Sequence, residues 1–165
     1  MIKKNLFIWV SDYLEDSGEG KLARLYLKSR YSTKKVNFIF NQKKKVKQRY
    51  FSSILGIIYC WKKYLQNEKV CYLNYLPLWN FLIFSLLPPN TIIGPITGGA
   101  NFKREISFQY LMRNFFFPIF YKISEFFLYF RKIEKIFSTD LLKKYLSKKT
   151  INESKFNFVF KNIHK

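Results

Sequence analysis

The chain has 165 residues, a formal net charge of +20, 21% aromatic residues, two cysteines and one histidine. That length suits one domain, residues 1–165, with a sizeable core. The ligand supply points away from a metal site, a disulfide framework and a histidine-based nucleophilic triad. Lys, Phe, Ile, Asn and Tyr, all favoured by A/T-rich codons, supply half of the chain, so the charge is informative only where it clusters.

Asn5–Val10 reads as a buried strand, an apolar run too short for a secretory signal; a cytoplasmic protein is expected. A polar loop, Asp12–Gly20, leads to a helix over Lys21–Lys28 with Leu22, Leu25 and Tyr26 on one face. Val36–Phe40 is a second strand, followed by a basic loop over Gln42–Arg49. Phe51–Leu65 reads as a helix in which Ile54, Leu55, Ile58, Cys60 and Trp61 make a largely apolar set.

Val70–Asn74 is a third strand. Pro77 suits the first turn of a helix that Pro88 ends, and Thr91–Ile93 is a fourth strand. Ile106–Phe130 is a long helix, which Pro118 should kink or split. Phe108, Met112, Phe115, Ile119, Ile123, Phe126 and Phe130 recur along it at three and four residues, a stripe that predicts core packing more readily than a membrane-lying face. Its charges, Arg113, Lys122 and Glu125, weigh against a membrane span. Lys135–Ser138 is a fifth strand, Asp140 caps a short helix through Tyr145, and Phe156–Phe160 is a sixth strand.

Strands that alternate with helices imply parallel pairing with right-handed crossovers. The expected fold is therefore α/β: a Rossmann-like, doubly wound, mostly parallel six-stranded sheet with helices on both faces. Ligands of such sheets bind beyond the carboxyl ends of the strands, which directs attention to two glycine-bearing loops. Gly94-Pro95-Ile96-Thr97-Gly98-Gly99 follows the fourth strand, and Ser17-Gly18-Glu19-Gly20-Lys21 follows the first. Each is readable as a tight turn; together, at one sheet edge, they would line one crevice. The second matches neither the dinucleotide fingerprint nor a P-loop. Three acids near it disfavour phosphate and favour a hydroxyl-rich ligand, with Asp12, Glu19 and Asn101 placed to bind hydroxyls.

In order and spacing, three segments resemble the N-terminal, acceptor-side half of glycosyltransferases of the two-Rossmann-domain GT-B type, the group 1, family 4-like enzymes. They are Ser17–Gly20, the Gly-Pro and Gly-Gly pairs of Gly94, Pro95, Gly98 and Gly99 around Thr97, and Ile136-Phe137-Ser138-Thr139-Asp140-Leu141. The resemblance implies a glycan or lipid-linked acceptor and a place in cell-surface polysaccharide synthesis. It also implies a nucleotide-sugar donor held by a second, donor-binding domain or subunit. No position here matches that domain, so no catalytic residue or cofactor is assigned to this chain; a truncated or split enzyme, inactive alone, is expected. The acceptor-side wall would comprise Asp12, Ser17, Gly18, Glu19, Gly20, Gly94, Pro95, Thr97, Gly98, Gly99 and Asn101.

Lys43, Lys44, Lys45, Lys47 and Arg49 beside Tyr50 and Phe51 form a basic and aromatic cluster suited to an anionic membrane surface. Docking on the inner face of the cytoplasmic membrane is expected through this loop. The competing reading is a non-enzymatic basic module for nucleic acid or a protein partner, with salt-dependent affinity; the acidic loop disfavours nucleic acid. A third reading, a small membrane-embedded protein, requires Ile106–Phe130 to span despite its charges.

Overall fold

A computed structural model of the chain describes residues 6–31, 37–40, 49–98, 108–130 and 134–158, with backbone only at 37–40, 49–50 and 108–113. Leu6–Val10 (β1) and Lys69–Leu73 (β3) are short apolar runs whose interior residues are buried. They pair in parallel from Leu6–Lys69 to Val10–Leu73. Asn37–Phe40 (β2) joins the free edge of β1, and Ile92–Ile93 (β4) joins β3. The sheet is parallel throughout, in the order β2-β1-β3-β4.

The single six-stranded sheet expected from the sequence does not form. Lys135–Ile136 (β5) and Ser154–Lys155 (β6) make a separate parallel pair. The reason lies at Gly94-Pro95. The Gly94 N–H still donates to the Tyr72 carbonyl at 2.9 Å, but Pro95 has no N–H to continue a ladder. Pairing resumes only as a lone parallel bridge between Ile96 and Phe137. There the Ile96 N–H donates to the Ile136 carbonyl at 2.7 Å, and the Ser138 N–H donates to the Ile96 carbonyl at 2.9 Å. The sixth strand also falls earlier than the expected Phe156–Phe160, because Asn157 takes a left-handed φ of 56° that ends extended structure. Residues 159–160 lie outside the described part.

The helices are Gly18–Arg30 (α1), Arg49–Leu65 (α2), Phe81–Leu86 (α3), Phe108–Phe130 (α4) and Lys148–Asn152 (α5). Pro77 does not open a helix as expected; it forms a bridge to Thr97, and α3 starts four residues later. α4 runs through Pro118 as one helix rather than splitting. Asp140 caps no α-helix: its carbonyl accepts from the Lys143 N–H at 3.0 Å ahead of a single 3-10 turn, Lys143–Tyr145.

Strand alternation divides the core in two. Ile8, Val10, Cys71 and Leu73 point to one face and pack with Ala23, Tyr26 and Leu27 of α1. Phe7, Trp9, Val70 and Tyr72 point to the other, under α2, α3 and α4. Helices thus cover both faces, as expected.

α3 buries Ile83 and Phe84 in the ordinary way, whereas α2 sets small residues against the sheet. On α2, Ser52, Gly56 and Cys60 are buried, at spacings of four. A β-carbon at Gly56 would sit 2.3 Å from the Trp9 indole nitrogen, so the small residue makes room for a large one on the sheet. Ile54, Leu55, Ile58 and Trp61 of α2 face outward, whereas Ile57 and Tyr64 pack against the core. α4 buries large residues as well as polar ones, Tyr121 and Leu128 beside Ser124 and Glu125, yet it leaves Phe115, Ile119, Phe126 and Phe130 exposed. Ile123 is half-buried, and the side chains of Phe108 and Met112 lie outside the described part. The helical stripe predicted as core is therefore mostly surface. Among the described residues, no helix is long and apolar enough to cross a membrane.

Candidate functional site

In the order β2-β1-β3-β4 the chain winds outward in opposite directions from β1, so the topological switch lies between β1 and β3. The parallel register ends at Val10–Leu73, which places Ser11 and Asp12 beside Asn74 and Tyr75. Asp12 and Asn74 are both buried. The Asp12 N–H donates to Asn74 Oδ1 at 3.2 Å, and Asp12 Oδ1 accepts from the Leu14 N–H at 3.0 Å. The Tyr75 hydroxyl donates to Asp12 Oδ2 at 3.0 Å.

The first turn of α1 closes the other side. Ser17 is its N-cap, and its hydroxyl accepts from the Gly20 N–H at 2.8 Å. The helix therefore starts at Gly18, earlier than the expected Lys21, and Gly18, Glu19 and Gly20 form a helical turn instead of a loop. The Gly20 N–H is taken by the cap. Gly20 itself is required, because a β-carbon there would lie 2.1 Å from the Leu14 carbonyl oxygen. Asn74 Nδ2 donates to the Glu19 carbonyl at 2.8 Å, and the Tyr75 N–H donates to Glu19 Oε2 at 2.9 Å.

Asn74 and Tyr75 carry consecutive left-handed φ angles of 74° and 47°. Asparagine tolerates that region; for tyrosine it is an outlier. The two bonds from Asp12 and Glu19 to Tyr75 hold it there. Sequence reasoning missed both residues. An asparagine closing an apolar run was a readable turn signal, but nothing local marks Tyr75. Arg24 also belongs here: its guanidinium donates to the carbonyls of Tyr13 and Leu14 at 3.1 and 3.3 Å and fixes the β1–α1 loop.

The Gly94–Gly98 segment reaches this cluster through residues 74–78. The Thr97 N–H donates to the Leu76 carbonyl, and the Leu78 N–H donates to the Thr97 carbonyl, each at 2.9 Å. Both backbone groups of Thr97 are thus committed to pairing. Gly94 allows close contact with Leu73, whose Cδ2 would be 2.7 Å from an added β-carbon, and Gly98 has a φ of +126° that favours glycine. Pro95 is buried between them. Segment 74–78 therefore stands between the two glycine segments, bonded to Asp12 and Glu19 at one end and to Thr97 at the other. Gly99, Asn101, Lys43, Lys44, Lys45 and Lys47 lie outside the described residues; Arg49 opens α2.

Two other features bear on chemistry. Cys60 and Cys71 are free and buried, and burial pushes the Cys60 thiol up to about 12 and raises Cys71 further; neither is a nucleophile at neutral pH. A shallow groove of about 410 Å³ lies against α4 and α5, lined by Lys122, Glu125, Tyr129 and Lys149 among others. Glu125 is committed there to the Ser147 N–H at 2.8 Å and to Lys122 at 3.1 Å. Among the described residues, no group of three His, Cys, Asp or Glu is placed to hold a metal ion.

The chain matches no protein-family model, no curated protein and no solved structure.

Proposed function

We propose that this chain is an acceptor-binding module of glycosyltransfer: a Rossmann-like, GT-B-type acceptor-side half that holds a glycan or lipid-linked saccharide. Its donor, a nucleotide-sugar, would be held by a partner domain or second subunit across the cleft. One observation carries the reading. The topological switch of the sheet bears two carboxylates, an amide and a phenol, from Asp12, Glu19, Asn74 and Tyr75, on a turn held in a strained conformation. Such groups suit sugar hydroxyls better than phosphates, and strained backbone of this kind concentrates at ligand-binding sites. The chemistry of transfer needs a leaving diphosphate stabilised by cationic groups and dipoles, which this cluster does not supply, so no catalytic residue is assigned. A peripheral position at the inner face of the cytoplasmic membrane is consistent with a lipid-linked acceptor.

A glycan array, followed by titration of the best saccharide against the full chain, tests this. Saturable saccharide binding is expected, weakened about tenfold in Tyr75→Phe, the change that removes the hydroxyl bonded to Asp12. Addition of a nucleotide-sugar should give no transfer without a donor-binding partner. The net charge of +20 supports a second reading, a basic nucleic-acid-binding module. Absence of saccharide binding together with tight, strongly salt-dependent binding to nucleic acid would decide for it.

A further inference from the structure

The outer faces of α2, α3 and α4 expose what ordinary packing would bury. Of the sixteen large apolar side chains exposed among the described residues, fourteen lie on these three helices; only Leu14 and Leu141 lie elsewhere. On α2, Phe51, Ile54, Ile58 and Leu65 are each more than half exposed and follow the helical period. On α4, Phe115, Phe126 and Phe130 are exposed by 69%, 62% and 75%. Leu82 and Leu86 of α3 lie between them. The helices are neighbours: the Trp61 indole N–H on α2 donates to the Leu86 carbonyl at 2.7 Å, and the rings of Phe81 and Phe120 lie 5.3 Å apart between α3 and α4. An apolar face of this breadth marks an interaction surface.

Its charge decides the occupant. α2 and α3 contain no acidic residue. The single acid of α4, Glu125, is buried against Ser147 and bonded to Lys122. Among the described side chains, the exposed charges of the face are cationic, Lys62 and Lys122, on a chain of net charge +20. A second copy would bring like charges together. Aromatic and aliphatic side chains flanked by lysines, on helices that lie along a surface, match the acyl and headgroup boundary of an anionic bilayer.

We infer that the α2–α3–α4 face is a membrane-docking surface, seated in the interface of an anionic lipid bilayer with its exposed Phe, Ile and Leu side chains in the acyl boundary. It does not depend on the saccharide reading, because it uses the opposite kind of feature at different residues. It also differs from docking through the loop at Lys43–Lys47.

Flotation of the full chain with phosphatidylcholine vesicles, with and without about 30% phosphatidylglycerol, is the test. The protein should float with the anionic vesicles only. The variant Ile54→Gln/Ile58→Gln/Phe126→Gln changes outward positions, so its circular dichroism and melting should be unchanged, and its binding should fall at least about tenfold. Lys62→Gln/Lys122→Gln should weaken binding and reduce its salt dependence. Should the triple variant fail to fold, bromine-labelled lipid chains should quench tryptophan emission in the parent and not in Trp61→Phe. The inference fails if the parent stays with the aqueous phase, or if the folded triple variant binds as well as the parent. It also fails if Lys43→Gln/Lys44→Gln/Lys45→Gln/Lys47→Gln abolishes flotation while the triple variant still floats. Light scattering that shows a parent dimer and a monomeric triple variant, without vesicle binding, would give the face to a second copy instead.

Discussion

One face of the parallel sheet is closed by α1 and the other by α2, α3 and α4, and the two covers differ in what they turn outward. α1 buries Leu22, Ala23, Tyr26 and Leu27 and turns Lys21, Lys28 and Arg30 to the outside, as an amphipathic surface helix does. α2 buries Ser52, Gly56 and Cys60 and turns Ile54, Ile58 and Trp61 outward. The sheet beneath explains much of the difference. β1 sends Ile8 and Val10 toward α1 but Trp9 toward α2, where the indole stacks on Tyr59 at 5.5 Å and leaves no room for a β-carbon at Gly56. One sheet thus carries a polar outer face on one side and an apolar outer face on the other.

The sharpest way to break this comparison is a pair of truncations. Tyr26→Ala on α1 removes a fully buried ring whose hydroxyl donates to the Ile93 carbonyl, and should cost about 3–5 kcal/mol in urea unfolding. Ile58→Ala on α2 removes an outward side chain and should change stability by less than about 0.5 kcal/mol. Equal losses at both positions would mean that the outer face of α2 is covered in the isolated protein.

The glycines sharpen it further. Gly20→Ala on α1 would push a β-carbon against the Leu14 backbone, and Gly56→Ala on α2 against the Trp9 side chain. Overpacking should cost about 1–3 kcal/mol, more at Gly20, where backbone must move. Gly56→Ala should also alter tryptophan emission, whereas Gly20→Ala should not.

The smallest effect is electrostatic, and in it the two covers behave alike. Burial alone would push the Glu125 carboxyl of α4 up, but bonds from the Ser147 hydroxyl, Thr150, the Ser147 N–H and Lys122 hold it below its ordinary value. Glu134 is lowered chiefly by Arg30, at the end of α1, and also by Lys155. In both cases the unfolded chain takes up its proton first as pH falls. The stabilisation is complete at neutral pH and is lost as pH drops below the ordinary glutamate range, under about pH 4. Urea midpoints of Glu125→Gln and the parent should therefore differ at about pH 7 and converge by about pH 3.

Much of the fold was legible because it rests on local rules. Short apolar runs and an interposed helix after nearly every strand led to parallel α/β architecture. The site was half legible. Asp12 and Glu19 stood out as acids beside glycines, and Gly94–Gly98 as a turn. Tyr75 did not, because it enters the site only through a left-handed backbone that its own side chain disfavours. The expected six-stranded sheet failed at a position the sequence displays, Pro95, whose missing N–H was weighed as part of a ligand loop and not as a break in a ladder.

The sequence by itself determined continuous apolar runs for the strands, a largely apolar set on α2 and a stripe with a period between three and four on α4. A period states which residues share a side of a helix, but not which side meets the sheet. That choice belongs to the tertiary structure. Trp9 fills the space above β1, so Gly56 of α2 meets the sheet there, between Ser52 and Cys60, and Ile54, Ile58 and Trp61 turn outward. Register likewise set the site, since only the parallel pairing of Val10 with Leu73 brings Asp12 next to Asn74 and Tyr75.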